Sequence, residues 1–322
     1  MTAYVVGFDV GGTRLKAGAV SRSGRWLARR VAPSEAHRGP RFLLARLAAE
    51  VRAFHRRLGT PPRAVGLALP GAVRPDRGVV LLPGRLRDLE GFPLVPRLRR
   101  AAGDVPVVAD NDARSAMIAE WKYGWARGRR WALTVTIGTG VGSGVLLDGR
   151  ILRDPHLQFG TQMSHITIQA AGGRRCLTGS RGTAEMLCSA TALAQQVRDG
   201  LARGIPSKLS ELYRRDPHAV DFEAVLRAAA QGDPLCRDEL AVWTANLGWF
   251  LVSAIHVYAP EIVILGGGVA RGARAFLGPL RAHLRRHVYR WPPGEPVPLR
   301  VSRLPDHAGV LGAAALAWEV AP

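Results

Sequence analysis

Two glycine-rich loops, each flanked by apolar stretches of β-strand type, constrain the fold of this chain most. The first loop, residues 7–13, precedes an apolar run at 15–20, and the second, residues 137–144, follows an apolar run at 131–136. Glycine lacks the Cβ that would keep a phosphate away from backbone N–H groups, and it adopts positive φ without strain. Either loop alone indicates only a hairpin turn. The matched pair, ahead of two similar stretches of chain, predicts a duplicated domain that binds one polyphosphate from both sides.

The length and composition predict a cytoplasmic protein of two domains around a cleft. The chain has 322 residues, of which 47% are hydrophobic, enough to build a large core. The most apolar stretch, residues 241–269, contains Asn246, His256 and Glu261, which argues against a membrane span. The chain starts directly with a strand rather than with a secretory leader. Its three cysteines have no regular spacing, which is typical of reduced thiols.

The formal net charge of +20 is compatible with binding to nucleic acid, a polyanion or a membrane surface. Only three of the 45 basic residues are lysines, so 42 are arginines, and they are scattered along the chain. A nucleic-acid surface normally clusters basic residues with interleaved aromatic residues, and this pattern is not seen. We therefore expect a solvated arginine-rich surface and no nucleic-acid partner, with a polyphosphate or other anion track as the alternative.

Alternating apolar strands and amphipathic helices predict an α/β fold with sheets covered on their faces. A β-β-β-α-β-α order begins at residue 4 and starts again at residue 131, with helices inserted between 183 and 231. The Pro- and Gly-rich stretch 74–96 predicts loops. The other predicted elements are strands at 64–69, 105–109 and 262–265, and helices at 40–58, 113–125, 234–258 and 309–319, the last packing back across the domain junction.

Several short motifs occur in a fixed order along the whole chain: residues 9–13, Pro70-Gly71, residues 111–113, residues 138–142, Glu185 and residues 260–268. This ordered set resembles the ROK family of bacterial sugar kinases, within the actin/hexokinase-like superfamily. The family's DNA-binding repressors carry a helix-turn-helix ahead of the first loop. Only three residues precede Tyr4 here, so the chain resembles the kinase branch.

The resemblance implies a two-domain, actin-like (ribonuclease H-like) fold with a central cleft and duplicated βββαβα units. A small α/β domain would comprise residues 1–115 and 307–322, and a larger one residues 116–306. The two would rotate about the junction near residues 115 and 307 and close over the substrates. Family members are commonly dimers or tetramers, so we expect a homodimer.

Asp112 is the best candidate for a general base. It follows a buried strand, where open α/β sheets place their ligands, and it stands at a helix N-terminus, which favours a carboxylate. The alternative is that Asp112 only caps that helix. The resemblance implies that Asn111 and Asp112 bind the sugar and that Asp112 takes the proton from its 6-hydroxyl.

The nucleotide site is predicted from the glycine loops and the charged residues beside them. Asp9 stands where Mg²⁺ or its waters would lie, although a turn-forming aspartate is the alternative. Lys16 follows the loop and reaches either a phosphate or solvent. Three successive glycines after the strand at 262–265 indicate close backbone approach, and the resemblance implies that they lie against adenosine. The predicted phosphate and nucleotide residues are Asp9, Gly11, Gly12, Thr13, Lys16, Gly138, Thr139, Gly140, Gly142, Gly266, Gly267 and Gly268.

The sequence departs from the family where the family binds structural zinc. The family's zinc is held by one histidine and three cysteines, matched here by His165 and by Cys176, Thr178 and Thr183. Zinc requires four ligands in a tetrahedral array, and only His165 and Cys176 remain. We therefore expect no structural zinc, with the threonines holding the loop by hydrogen bonds.

The sugar-binding residues are predicted from the family's Glu-x-Gly-His motif, in which Gln162 and Ser164 replace the glutamate and the glycine. An amide donates as well as accepts, so Gln162 changes the set of hydroxyls that the site favours. A competing register at residues 158–161 would displace His165. The resemblance implies a sugar site of Gly71, Asn111, Gln162, His165 and Glu185.

Together the residues and the resemblance predict an ATP- and Mg²⁺-dependent hexose kinase, with glucose as the expected sugar and other hexoses or N-acetylhexosamines as alternatives. A polyphosphate-dependent glucokinase and a non-catalytic sugar-sensing protein are the alternatives.

Overall fold

The computed structural model describes residues 2–74, 79–82, 86–153, 162–176, 178–290, 294–304 and 306–322. The competing register at 158–161 lies outside these residues. The chain divides into two compact units. The first comprises Met1–Arg130, Gly144–Thr161 and Asp306–Pro322, and the second comprises Trp131–Ser143 and Gln162–Pro305. The domain boundaries predicted near residues 115 and 307 describe two domains that rotate during closure, and they stay a prediction.

The first unit contains a five-stranded sheet of order β3-β2-β1-β4-β7. Its strands are β1 Val5–Val10, β2 Arg14–Val20, β3 Trp26–Pro33, β4 Val65–Leu69 and β7 Val107–Asn111. The three N-terminal strands pair antiparallel, whereas β4 pairs parallel with β1 and with β7. Because β1, β4 and β7 are parallel, their carboxyl ends lie along one edge of the sheet, where open α/β sheets bind ligands.

Two helix layers cover this sheet. Helix α1, Pro40–Leu58, presents the predicted apolar face, and its buried Leu47 and Phe54 join the core cluster that contains Phe8 of β1. Helix α10, Ala308–Val320, packs on the opposite face, where Gly7 and Gly66 have no side chain to keep it away. Successive residues of a strand face opposite sides of a sheet. The glycines therefore let α10 approach the strands directly.

The stretch 74–96, predicted as loops, also contains regular structure. Strands β5 Ala72–Arg74 and β6 Val79–Leu82 form a two-stranded sheet, and helix α2, Leu94–Ala101, follows. Val73, Val80 and Leu94 are buried in the core of the first unit. These three short apolar segments form strands and a helix because they pack against that core. None of them is long enough to show a clear period in the sequence.

The second sheet has the order β10-β9-β8-β11-β12, which repeats the order of the first. Its strands are β8 Ala132–Ile137, β9 Val141–Leu147, β10 Arg150–Ile151, β11 Ile262–Gly266 and β12 Leu299–Val301. The chain passes from the second unit into the first within β9. The predicted α/β class and the duplication are confirmed. Strand β12 was not predicted.

Seven further α-helices lie in the described part of the chain. They are α3 Asp112–Tyr123 in the first unit, and α4 Ala184–Cys188, α5 Ala190–Ala202, α6 Ser210–Arg215, α7 Phe222–Ala230, α8 Pro234–Tyr258 and α9 Leu277–His287 in the second. By length and composition α8 could cross a membrane, the one such helix among the described residues, and half of its most apolar window is buried within the protein. Trp243, Leu247 and Phe250 are fully buried, as in the core helix of a globular protein.

The close approach of α10 to the first sheet yields a stability prediction. A Cβ at Gly66 would overlap the carbonyl oxygen of Ala313, so Gly66→Ala should lower the free energy of unfolding by about 1–3 kcal/mol. The measurement is urea unfolding followed by circular dichroism. Gly278→Ala is the control, because a Cβ there meets nothing within 4 Å and alanine favours the helix. Equal unfolding midpoints for the two variants would contradict the packing.

Candidate functional site

The turn between β7 and α3 carries the best candidate for a catalytic carboxylate. Asn111 is the N-cap of α3: its Oδ1 accepts the backbone N–H groups of Ala113 at 2.9 Å and Arg114 at 3.1 Å. Asn111 therefore supplies the cap that the sequence alternatively assigned to Asp112. The Oδ1 atom of Asp112 accepts the Nδ2 group of Asn111 at 3.0 Å and the N–H of Ala113 at 2.8 Å.

Gly71 lies against the same turn. Its carbonyl oxygen accepts the Nδ2 group of Asn111 at 2.9 Å, and its φ of 88° is in the left-handed region that favours glycine. The structure thus brings together Gly71, Asn111 and Asp112. An amide offers two donors and two acceptor positions, and all four positions of Asn111 are used within the protein.

The environment of Asp112 favours its protonated form more than water does. Desolvation raises the pKa of Asp112 to about 6, the negative charge of Asp9 acts in the same direction, and hydrogen bonds to the carboxylate partly offset both. The residue keeps solvent-exposed surface, so the crowded carboxylate is open to a small molecule. A carboxylate with a pKa near 6 is suited to accept a proton at neutral pH.

Asp9 lies in β1 directly opposite Lys16 of β2. The Lys16 Nζ is 3.7 Å from the Asp9 Oδ2 and donates to the Asp306 carbonyl at 3.1 Å. A Cβ at Gly309 would come within 2.7 Å of the Asp9 Cγ, so the N-terminus of α10 lies against the carboxylate. Desolvation raises the pKa of Asp9, although Lys16 opposes that effect. Lys16 therefore pairs with Asp9 instead of extending into solvent.

The first glycine loop is held through its carbonyl groups. The Ser34 Oγ donates to the Gly12 carbonyl at 2.7 Å, and the Ser34 N–H donates to the Thr13 carbonyl at 3.0 Å. In a trans peptide the carbonyl and the following N–H point in opposite directions. The N–H groups of Thr13 and Arg14 therefore point away from Ser34. Sequence reasoning missed Ser34, which lies 21 residues beyond the loop.

The second glycine loop is held in the same way by the start of α5. The Ala190 N–H donates to the Gly138 carbonyl at 2.9 Å, and the Thr191 Oγ1 donates to the Thr139 carbonyl at 2.8 Å. The N–H groups of Thr139 and Gly140 consequently point away from α5. A Cβ at Gly138 would meet nothing within 4 Å, so the space beside this loop is open to a ligand.

Glu185 of α4 lies against the second loop. Its Oε2 accepts the N–H of Val141 at 3.1 Å, and a Cβ at Gly140 would come within 2.5 Å of the same oxygen. Gly140 is therefore needed for the carboxylate to reach the backbone. Gly142 lies within β9. The structure places Glu185 beside the predicted phosphate loop, and its contact with sugar stays a prediction.

The three glycines after β11 lie beside the same loop. Gly267 has a φ of 79°, and a Cβ there would overlap the carbonyl oxygen of Ile137, the residue before Gly138. Only glycine allows the chain to leave β11 so close to the end of β8. Gly268 has open space where a Cβ would stand. The turn after β11 therefore lies against the first residue of the second glycine loop.

The segment that binds zinc in the family is held here by backbone hydrogen bonds. The Ala184 N–H donates to the Ile166 carbonyl at 2.8 Å, and the Ile168 N–H donates to the Gly182 carbonyl at 2.9 Å. Gln162 precedes the short helical turn Met163–His165. The loop therefore has a defined conformation that the backbone itself maintains.

The side chains of this segment do not fit a tetrahedral zinc site. The Cys176 Sγ lies 2.9 Å from the Thr178 Oγ1, so the thiol has a hydroxyl partner. The His165 Nδ1 and the Thr183 Oγ1 are buried and have no hydrogen-bond partner among the described residues. Within the described part of the chain, no three His, Cys, Asp or Glu side chains are grouped as metal ligands.

The predicted site residues fall into two sets. The first unit holds Asp9, Gly11, Gly12, Thr13, Lys16, Gly71, Asn111 and Asp112, and the second holds Gly138, Thr139, Gly140, Gly142, Gln162, His165, Glu185, Gly266, Gly267 and Gly268. Each unit therefore contains one glycine loop anchored through its carbonyl groups.

A family model described as "ROK family" matches residues 5–320. The chain belongs to the ROK family. A glucokinase of Thermotoga maritima is 30% identical over 320 residues, covering 98% of this chain and 97% of the relative. A kanosamine kinase of Amycolatopsis mediterranei is 30% identical over 329 residues, covering 99% and 98%. These two relatives match nearly the full length of the chain, and the family model confirms the predicted family.

Solved structures agree with this assignment. The crystal structure of a ROK family glucokinase from Streptomyces griseus, in complex with glucose and AMPPNP, superposes with a TM-score of 0.83 at 26% identity. The match covers 98% of this chain and 100% of that one. The two-sheet α/β architecture of this protein is therefore that of a ROK kinase.

The interaction between the charges of Asp9 and Asp112 yields a prediction that can be tested without an activity assay. Because the negative charge of Asp9 raises the pKa of Asp112, Asp9→Asn should move that pKa below about 6. Titration of the ¹³C carboxyl resonance of Asp112 measures it. Asp104→Asn is the control, since Asp104 is 78% exposed. An unchanged or higher pKa of Asp112 in Asp9→Asn would show that the charge of Asp9 does not raise it.

Proposed function

We propose that this ROK protein is an ATP- and Mg²⁺-dependent hexose kinase that phosphorylates the 6-hydroxyl of glucose with Asp112 as general base. The observation that carries the proposal is the β7–α3 turn. Asn111 caps the helix there, and the neighbouring carboxylate has its pKa raised to about 6. Family membership, the glucokinase relative and the related structure with glucose and AMPPNP support a sugar kinase.

Phosphoryl transfer to a sugar requires a group that takes the hydroxyl proton and donors that stabilise the phosphate charge. Asp112 accepts the proton of the 6-hydroxyl while that oxygen forms its bond to the γ-phosphorus and the bond to ADP breaks. The carboxylate is ionised above about pH 6, so it is ready for this step at neutral pH. ATP supplies the phosphoryl group, and Mg²⁺ neutralises part of its charge.

The residues that would hold the nucleotide are backbone groups of the two glycine loops. The N–H groups of Thr139 and Gly140 point away from the helix that anchors their loop, and open space lies beside Gly138 and Gly268. Asp9 would hold Mg²⁺ or one of its waters. Its carboxylate is 24% exposed, and oxygen ligands suit this ion.

For the sugar we propose contacts from Gln162, His165 and Glu185. Gln162 directly precedes the turn Met163–His165, and His165 is the last residue of that turn. All four hydrogen-bonding positions of Asn111 are used by Gly71, Asp112 and α3. A sugar hydroxyl would have to replace one of them, so the main role of Asn111 is to hold Asp112. Homodimerisation, a cytoplasmic location and domain closure about residues 115 and 307 stay predictions.

Replacing Asp112 tests the base assignment. Asp112→Asn keeps the size of the side chain and removes its basicity, so kcat should fall by ~10²–10⁴-fold. Nucleotide binding, measured by calorimetry, should be retained. The wild-type rate should rise as the pH increases through about 6, because the carboxylate must lose its proton before it can accept another. An Asp112→Asn enzyme with a tenth or more of the wild-type rate would refute the assignment.

A panel of substrates tests the sugar and the donor. Phosphate transfer is measured to glucose, mannose, fructose, N-acetylglucosamine and N-acetylmannosamine, each with ATP and with polyphosphate. We expect the highest kcat/KM for glucose with ATP. A preference for polyphosphate would refute ATP as the phosphoryl donor, and a preference for another sugar would refute glucose as the substrate. Binding without turnover across the panel would identify a sugar-sensing protein instead.

A further inference from the structure

A buried carboxylate lies directly before the Asn111–Asp112 turn. The side chain of Asp110 is 1% exposed, and its Oδ1 accepts the N–H of Asn111 at 2.7 Å and the Nε of Arg114 at 2.6 Å. Its Oδ2 accepts the Nε of Arg153 at 3.0 Å and the Nη2 of the same residue at 2.9 Å. One carboxylate thus receives four hydrogen bonds, and one of them comes from the backbone of the turn that carries Asp112.

The two arginines differ in their surroundings. The Arg114 side chain is 1% exposed and also donates from its Nη2 to the Val73 carbonyl at 3.3 Å, two residues after Gly71. The Arg153 side chain is 37% exposed and lies two residues beyond β10. A buried arginine needs a carboxylate partner, and Arg114 already provides the counter-charge for Asp110. Charge balance therefore does not require Arg153.

The guanidinium of Arg153 instead fixes the orientation of the Asp110 carboxylate. Both donors of Arg153 converge on the Oδ2 of Asp110, whereas the N–H of Asn111 and the Nε of Arg114 hold the Oδ1. Because Arg153 holds the second oxygen, the carboxylate cannot turn about its Cβ–Cγ bond, and its Oδ1 stays directed at the N–H of Asn111. The Asn111 side chain in turn donates to Asp112 at 3.0 Å. A short chain of hydrogen bonds therefore joins Arg153 to the proposed base.

We infer that Arg153 is a positioning residue: its two-donor contact with Asp110 fixes the backbone of the Asn111–Asp112 turn and thereby the orientation of the Asp112 carboxylate. Arg153 acts only through Asp110. The inference deepens the proposed function and depends on it for its kinetic test.

The choice of variant follows from the burial of Arg114. Removing Asp110 would leave the Arg114 guanidinium buried without its carboxylate, so such a variant is prone to misfold. Arg153→Met removes only the second guanidinium and keeps the length of the side chain, while Asp110 and Arg114 remain paired. Arg153→Lys keeps the charge but offers no planar pair of donors. Arg150→Met is the matched control, because Arg150 is exposed and lies on the same hairpin.

The experiment compares these variants by steady-state kinetics with glucose and MgATP. Misplacing a catalytic group by about 1 Å can cost on the order of 100-fold in rate, so Arg153→Met should lower kcat by roughly 10- to 100-fold. The KM for MgATP should stay at the wild-type value, because the glycine loops are anchored by other residues. Arg153→Lys should restore part of kcat, and Arg150→Met should match the wild type.

Hydrogen exchange gives a readout that does not depend on activity. The N–H groups of Asn111, Ala113 and Arg114 all bond to side chains of the turn, so their exchange should be faster in Arg153→Met and unchanged in Arg150→Met. If kcat and these exchange rates both remain at wild-type values, the inference is wrong. A lowered melting temperature with unchanged kcat would likewise overturn it, because Arg153 would then be only structural. A wild type without turnover would refute the proposed function, and the exchange rates alone would then decide the inference.

Discussion

The candidate site depends on the hydrogen bonds of one amide side chain, that of Asn111. Its Oδ1 closes the first turn of α3, and its Nδ2 bonds both the Gly71 carbonyl and the Asp112 carboxylate. An aspartate that only capped the helix would be a poor base, because capping bonds stabilise the ionised form and lower the pKa. Asp112 also accepts one helix N–H, that of Ala113, but desolvation outweighs this bond and the pKa of Asp112 rises to about 6. The same turn thus stabilises a helix end and leaves a carboxylate able to accept a proton.

Both glycine loops have the same construction although they lie in different units. A side-chain hydroxyl and a backbone N–H bind two successive carbonyl groups, from Ser34 in the first unit and from Ala190 and Thr191 in the second. Each pair of bonds directs the following N–H groups to the other side of the loop. The loops are therefore arranged to present backbone N–H donors on that side. This construction suits the binding of a polyanion that is itself complexed with Mg²⁺.

Local patterns predicted the long elements, and tertiary packing decided the short ones. The predicted helix 40–58 forms with those ends because Pro40 starts it, Gly59 ends it, and its apolar residues recur at helical spacing. The hairpin β5–β6 and strand β12 were missed, since three or four residues show no period of their own. Val73 and Val80 form strands because the core of the first unit covers them.

The sequence by itself determined the order of the long elements, the two glycine loops and the Asn111-Asp112 pair, because turn chemistry and apolar period are local properties of the chain. Only the tertiary structure decided which of Asn111 and Asp112 caps the helix, that Glu185 reaches the N–H of Val141, and that Arg153 binds Asp110. The last two pairs are separated by 44 and 43 residues. Such contacts arise when the folded chain brings distant strand ends and helix starts together, and no local pattern in the sequence encodes them.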